Sequence, residues 1–308
     1  MHPLTLESFK SIYNSPSQLR LFLEENSLGM RKKFGQNFLI NPNIRERLLD
    51  ALEIKPFERV WEIGPGLGAM TLGLLERGAD VTAFEIDKGF IKILKELFNG
   101  NTNFNLIEGD VLKTWPKTLQ ENDLSLFGNL PYNIAAVLIA DMIEKKRFFN
   151  KMVITVQLET AQRLLAKPGT KDYSSLTVLC SSVYNIKPLM NIKGGSFYPI
   201  PRVESQGLRF DLIKLNKELP KYFNSLTRVL FSARRKTIKN NLLNFVYSVT
   251  IKNTKIENSQ SAAEQSADSI VSKALETMNL SANIRAETLG TGDFIRLAEV
   301  LEELIEND

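Results

Sequence analysis

From residue 59 onward, short apolar runs alternate with longer amphipathic segments. That alternation limits the fold more than any other feature of the chain. Residues 59–63, 81–84, 103–107, 124–127 and 151–157 read as strands, and 69–77, 88–98, 134–144 and 159–166 as the helices between them. Strands interleaved with helices predict a parallel, doubly wound α/β sheet. Residues 183–192 and 206–213 read as late strands pairing at one edge. After about residue 214 the pattern turns helical throughout, over 219–231, 237–246, 269–278 and 291–305. In the last of these Phe294, Leu297, Ala298, Leu301, Leu304 and Ile305 recur at helical spacing. The expected organisation is therefore a catalytic domain over 1–213, with a helical leader over 1–30, followed by a small all-helical domain over 214–308. Residues 253–268, rich in Ser, Gln, Ala and Glu, are expected to form a surface loop. Asn41-Pro42 marks a helix start, with Ile44, Leu48, Leu49 and Leu52 as its apolar stripe.

Composition excludes several chemistries. The 308 residues contain one cysteine and one histidine. Cys180 lies among Leu176, Val178, Leu179 and Val183, which reads as a core thiol, and His2 sits at the extreme N-terminus. Neither a histidine-activated nucleophile nor a Cys/His zinc site can be assembled from them, and no metal is expected. The formal charge of +4 permits a nucleic-acid partner without requiring one. No run approaches membrane-spanning length and no signal peptide is evident, so a soluble cytoplasmic protein is expected.

Glycines 64, 66 and 68 lie between the first strand and its helix. Their alternate spacing departs from the Gly-x-Gly-x-x-Gly of dinucleotide sites, and the turn alone reads equally as a structural strand-to-helix connection. The acids that follow weight the reading toward a ligand. Glu85 ends the second strand about 20 residues on, where an acid holds ribose hydroxyls. Asp110 ends the third, where a carboxylate can accept from an adenine amino group. Strand ends of a doubly wound sheet open on one crevice. An adenosine-containing cofactor without a dinucleotide fingerprint points to S-adenosylmethionine rather than NAD.

Asn129-Leu130-Pro131-Tyr132 follows the fourth strand. The Asn side-chain oxygen and the Leu carbonyl can both accept from an exocyclic amine. Pro131 stiffens the turn, and Tyr132 offers a stacking face. The tetrapeptide alone also reads as an ordinary Asn-Pro-type turn.

Taken together, the chain closely resembles the ribosomal RNA adenine dimethyltransferases. Phe34-Gly35-Gln36-Asn37-Phe38-Leu39, Glu62 to Gly68, Phe84-Glu85-Ile86-Asp87, Glu108-Gly109-Asp110, Asn129 to Tyr132 and Phe197-Tyr198-Pro199-Ile200-Pro201-Arg202-Val203-Glu204-Ser205 match that family's motifs in order. The resemblance implies a Rossmann-like S-adenosylmethionine-dependent methyltransferase domain. It implies cofactor contacts from Asn37, Leu39, Gly64, Glu85, Asp110 and Asn129, with Gln36, Gly66 and Gly68 of the same motifs. It assigns Asn129 and the Leu130 carbonyl to the target amine, and Tyr132 and Phe197 to a sandwich around adenine. The two departures from the family, the long leader and the 253–268 segment, are expected to lie away from the site.

Residues 231–236 with Asn240-Asn241-Leu242, and 285–289, resemble the small-subunit branch of the family. That branch dimethylates N6 of two adjacent adenosines in a hairpin near the 3′ end of 16S rRNA. The implied partner is a small-subunit precursor, and a monomer is expected. The competing readings are a large-subunit rRNA methyltransferase conferring antibiotic resistance, or an assembly factor whose methylase activity is secondary. Arg31, Lys32, Lys33, Arg234, Arg235 and Lys236 are candidate phosphate contacts, and read equally as solvated faces.

Overall fold

The computed structural model describes residues 5–28, 37–118, 123–130, 134–214, 217–254 and 260–307, with side chains for all of these except 252–254 and 260–262. The chain divides into two compact units, 1–161 with 185–212, and 162–184 with 213–308.

The first unit begins with two short helices, α1 (Leu6–Tyr13) and α2 (Pro16–Glu25). Each starts on a hydroxyl cap: Thr5 accepts from the Ser8 N–H and Ser15 from the Gln18 N–H. Their buried residues Phe9, Tyr13, Leu19, Phe22 and Leu23 join one core cluster with Phe38, Leu72, Phe90 and Leu94. The leader is thus packed into the domain. Next come β1 (Phe38–Leu39) and α3 (Pro42–Leu52). Asn41 caps α3 as its sequence predicts, accepting from the Ile44 N–H at 3.2 Å.

The alternation follows as expected: β2 (Arg59–Ile63), α4 (Ala69–Glu76), β3 (Asp80–Glu85), α5 (Lys88–Leu97), β4 (Phe104–Glu108), α6 (Val111–Thr114), β5 (Leu124–Asn129), α7 (Ala135–Glu144), β6 (Lys151–Gln157) and α8 (Leu158–Leu164). After α9 (Ser175–Ser181) come β7 (Tyr184–Ile192), β8 (Phe197–Tyr198) and β9 (Ser205–Leu212). The seven-stranded sheet has the order β4-β3-β2-β5-β6-β9-β7. Its first five strands are parallel, and β9 runs antiparallel to β6. Chain order reverses between β2 and β5, and the carboxyl ends beside that switch form the crevice where ligands bind in such sheets. A separate two-stranded ladder pairs Leu39 with Phe197 and Phe38 with Tyr198. It joins two motifs that lie more than 150 residues apart in the sequence.

The second unit contains α9, α10 (Phe223–Ser232), α11 (Ile238–Thr254), α12 (Gln260–Thr277) and α13 (Thr291–Glu306). Its core is aromatic. Phe231 stacks on Phe294 with ring centroids 5.6 Å apart and meets Tyr173 edge-on at 5.7 Å. The Tyr173 hydroxyl donates to the Leu289 carbonyl at 2.9 Å. Residues 162–184, placed by sequence in the first domain, group here with the terminal helices, because α9 packs on α10 and α13. Cys180 is fully buried within α9 and burial pushes its thiol up.

The loop expected over 253–268 is corrected. α11 extends to Thr254 and α12 begins at Gln260, with 255–259 outside the described residues. The polar segment carries good helix formers. Its buried Ala267 continues the stripe of Ile270, Val271 and Ala274 in the stretch over 269–278 that reads as a helix. No described helix is long and apolar enough to cross a membrane.

Candidate active site

A cavity of about 260 Å³ opens at the carboxyl ends of β4, β3, β2 and β5, and the residues that sequence singled out converge on it. Asn37, Leu39, Gly64, Gly66, Glu85, Asp110 and Asn129 all line it. Gly68 does not. It is the N-cap of α4 at φ +91°, and a Cβ there would meet Phe98 at 2.8 Å and Leu94 at 2.9 Å. Its glycine is required by packing. Gly66, at φ +58°, faces the cavity and donates its N–H to Glu85 Oε2 at 3.0 Å.

Two buried acids sit on adjacent strands. Glu85 ends β3 at 5 % exposure, and its other oxygen accepts from the Ile86 and Asp87 N–H groups at 2.9 and 2.8 Å. A carboxylate offers about four lone-pair positions, so it can still receive a ligand hydroxyl. Burial is the dominant influence and raises its pKa to about 7 against the three N–H donors. Glu62, in β2, is 2 % exposed and accepts from the Thr71 hydroxyl at 2.6 Å. Burial, with a smaller push from Glu85, raises its pKa to about 8. Asp110 caps α6 through the Leu112 N–H at 3.1 Å, on a half-buried side chain.

Asn129 closes β5 and has two fixed partners. Its Nδ2 donates to the Asn37 carbonyl at 2.9 Å, and its Oδ1 accepts from the Thr155 hydroxyl. Thr155 is the register neighbour of Asn129 across β5 and β6 and is fully buried. Its carbonyl also accepts from the Leu130 N–H at 3.3 Å. Oδ1 keeps a second lone pair, and Asn129 lines the cavity.

Comparison with known proteins settles what kind of enzyme this arrangement belongs to. The model of the ribosomal RNA adenine dimethylase family matches residues 28–278. The chain belongs to that family. It is 44 % identical over 301 residues to the ribosomal RNA small subunit methyltransferase A of Treponema denticola, covering 95 % of this chain and 96 % of that protein. Among solved structures it is similar to a dimethyladenosine transferase from Plasmodium falciparum, with a TM-score of 0.67 at 28 % identity over 83 % of this chain and 94 % of that one. The fold is also that of the 23S rRNA methyltransferase ErmE, with a TM-score of 0.58 at 22 % identity over 85 % of this chain and 98 % of that one.

Other family motif positions fall differently. Leu130 is buried, and its side chain packs where a Cβ on Gly128 would stand. Phe197 is 2 % exposed in a core cluster with Leu39 and Phe127. Those two line the cavity, whereas Phe197 does not. Tyr132, Gln36, Arg31, Lys32 and Lys33 lie outside the described residues.

Arg234 is taken up within the helical unit. It forms an ion pair with Glu287 at 2.6 Å and donates to the Lys171 carbonyl at 2.8 Å. Arg235 and Lys236 are exposed.

Sequence reasoning missed two members of the site. Thr155 could have been found from its register opposite Asn129. Tyr13 carried no local signal. It lines the cavity and overturns the expectation that the leader lies away from the site.

Proposed function

We propose that this protein transfers methyl groups from S-adenosylmethionine to N6 of adenosines in small-subunit rRNA, dimethylating two adjacent adenosines near the 3′ end of 16S rRNA. The observation that carries this reading is the fixed amide of Asn129 at one end of a cavity whose other end holds Glu85 and Asp110. Residues of this chain suit the cofactor. Gly64 and Gly66 leave the turn without side chains, and Glu85 and Asp110 keep acceptor capacity for hydroxyls and an amino group. When bound, S-adenosylmethionine supplies a methyl group on a sulfonium whose departure leaves a neutral thioether.

The chain's own work is positioning and electrostatics. The adenine N6 lone pair is delocalised into the ring. Accepting the two N6 hydrogens at Asn129 Oδ1 and the Leu130 carbonyl favours a more tetrahedral, nucleophilic nitrogen. No general base is needed, because the proton on the methylated amine can leave to water. A target adenine must leave its stack to reach the crevice. Tyr132 is assigned to stacking on it, which offsets about 1–3 kcal/mol of that cost. Arg235 and Lys236 are assigned to phosphates, and the partner to a precursor of the small subunit, met in the cytoplasm by a monomer.

The small subunit is preferred to the large. The relative that is 44 % identical over 95 % of this chain is a small-subunit methyltransferase, and the likeness to ErmE, at 22 % identity, is one of fold alone. The test is incubation with labelled cofactor and, separately, undermethylated small subunits, large-subunit RNA and DNA. N6,N6-dimethyladenosine recovered only from the small subunit supports the reading. Label confined to large-subunit RNA or to DNA contradicts it.

A further inference from the structure

Tyr13 ends α1 with 5 % exposure, and its side chain reaches the cavity wall. Its ring is held on several sides. Phe9 packs at 5.6 Å, Phe38 meets it edge-on at 6.0 Å, and the Arg45 guanidinium lies 5.0 Å from the ring centroid. Arg45 also ties this corner to β1, donating to the Asn14 side chain and to the Leu39 carbonyl. So the leader is latched to the segment that carries Asn37 and Leu39.

The Tyr13 hydroxyl has no hydrogen-bond partner among the described residues. The hydroxyl is not among the sealed, unpartnered side-chain atoms of the described residues, so it is open to a ligand in the cavity that Tyr13 lines and can donate to one. Burial, with a smaller push from Glu62, drives its pKa far up against the opposing pull of Arg45. The phenol therefore stays neutral and able to donate.

Strand order locates what it faces. Asp110 follows β4, Glu85 ends β3, Glu62 lies in β2 and Asn129 ends β5, in the spatial order β4-β3-β2-β5. If adenine and ribose lie over the first two, the charged amino-acid end of the cofactor falls over β2, toward Glu62. Tyr13 and Glu62 line the same cavity and feel each other electrostatically. An ammonium suits the acid, and a carboxylate suits a phenol donor beside a guanidinium.

We propose that Tyr13 is a cofactor-binding residue whose hydroxyl donates to the carboxylate at the amino-acid end, making the α1–α2 pair a working part of the site. This rests on the reading of the cavity as an S-adenosylmethionine site. The experiment is calorimetric titration of wild type and Tyr13→Phe with S-adenosylhomocysteine and with its decarboxylated analogue. Phenylalanine keeps the packed ring and removes only the hydroxyl. Loss of one hydrogen bond to a charged group should weaken S-adenosylhomocysteine by about tenfold and leave the analogue nearly unchanged. Unchanged affinity for S-adenosylhomocysteine, or equal loss on both ligands, overturns the assignment. A wild-type protein that binds neither compound would instead sink the cofactor reading itself, and this inference with it.

Discussion

The side-chain amide of Asn129 donates to the main-chain carbonyl of Asn37 across 2.9 Å. A carbonyl can only accept, so this contact decides which way the amide faces. It leaves Oδ1 to the Thr155 hydroxyl, which must then be the donor. Two contacts therefore fix the orientation of an amide on the cavity wall, which the proposed reaction uses as an acceptor.

Removing the second contact should loosen that orientation. Thr155→Val keeps the shape of a fully buried side chain and deletes the hydroxyl. The expected result is a fall in kcat of about tenfold, the size of one orienting hydrogen bond, with S-adenosylhomocysteine affinity unchanged. Thr155→Ser should restore most of the rate. Paired steady-state kinetics and calorimetry check this. A matching loss of cofactor affinity would reassign Thr155 to folding.

The two buried acids predict a pH dependence of stability. Folded Glu62 titrates near about 8 and Glu85 near about 7, against an ordinary value of 4.5. The native state thus holds more protons than the unfolded chain between those limits, and these groups lower stability as pH rises from about 4.5 to about 8. Glu62→Gln, which cannot charge, should raise the melting temperature of the ligand-free protein at pH 8, with the gain fading toward pH 4.5. A gain equal at both ends would contradict the assignment.

Gly66 and Gly68 should separate binding from folding. Gly68→Ala forces a Cβ onto Leu94 and Phe98 at a left-handed φ and should cost about 1–3 kcal/mol of stability, read by denaturant unfolding. In Gly66→Ala the new methyl meets only the Phe38 ring, at 3.0 Å, on the cavity wall. Its larger effect should be on S-adenosylhomocysteine affinity.

The basic residues should divide in the same way. Arg234→Ala breaks the pair with Glu287 and should lower the melting temperature of the protein. Arg235→Ala and Lys236→Ala should leave melting unchanged and weaken rRNA binding, each reducing the slope of log affinity against log salt by about 1. Filter binding across a salt series measures this.

Much of this architecture was legible locally. The Asn41-Pro42 cap, the strands at 59–63 and 151–157, and the glycine turn with its two acids carry their signals within a few residues. Elements defined by distant partners were not legible. β1 is two residues long and exists because Leu39 meets Phe197. The second half of α12 was legible as a helix over 269–278, but its first half, from Gln260, reads as a polar loop. Tyr13 reaches the site only because α1 packs on Phe38 and Phe90. The orientation of Asn129 depends on Asn37, 92 residues earlier in the chain.

The central claim is that one amide serves the amine acceptor and is separable from cofactor binding. Asn129→Ala, assayed on a single preparation for S-adenosylhomocysteine affinity and for single-turnover methylation of undermethylated small subunits, tests it most directly. The account predicts near-normal affinity with methylation lost. Wild-type-like turnover by that variant would contradict it.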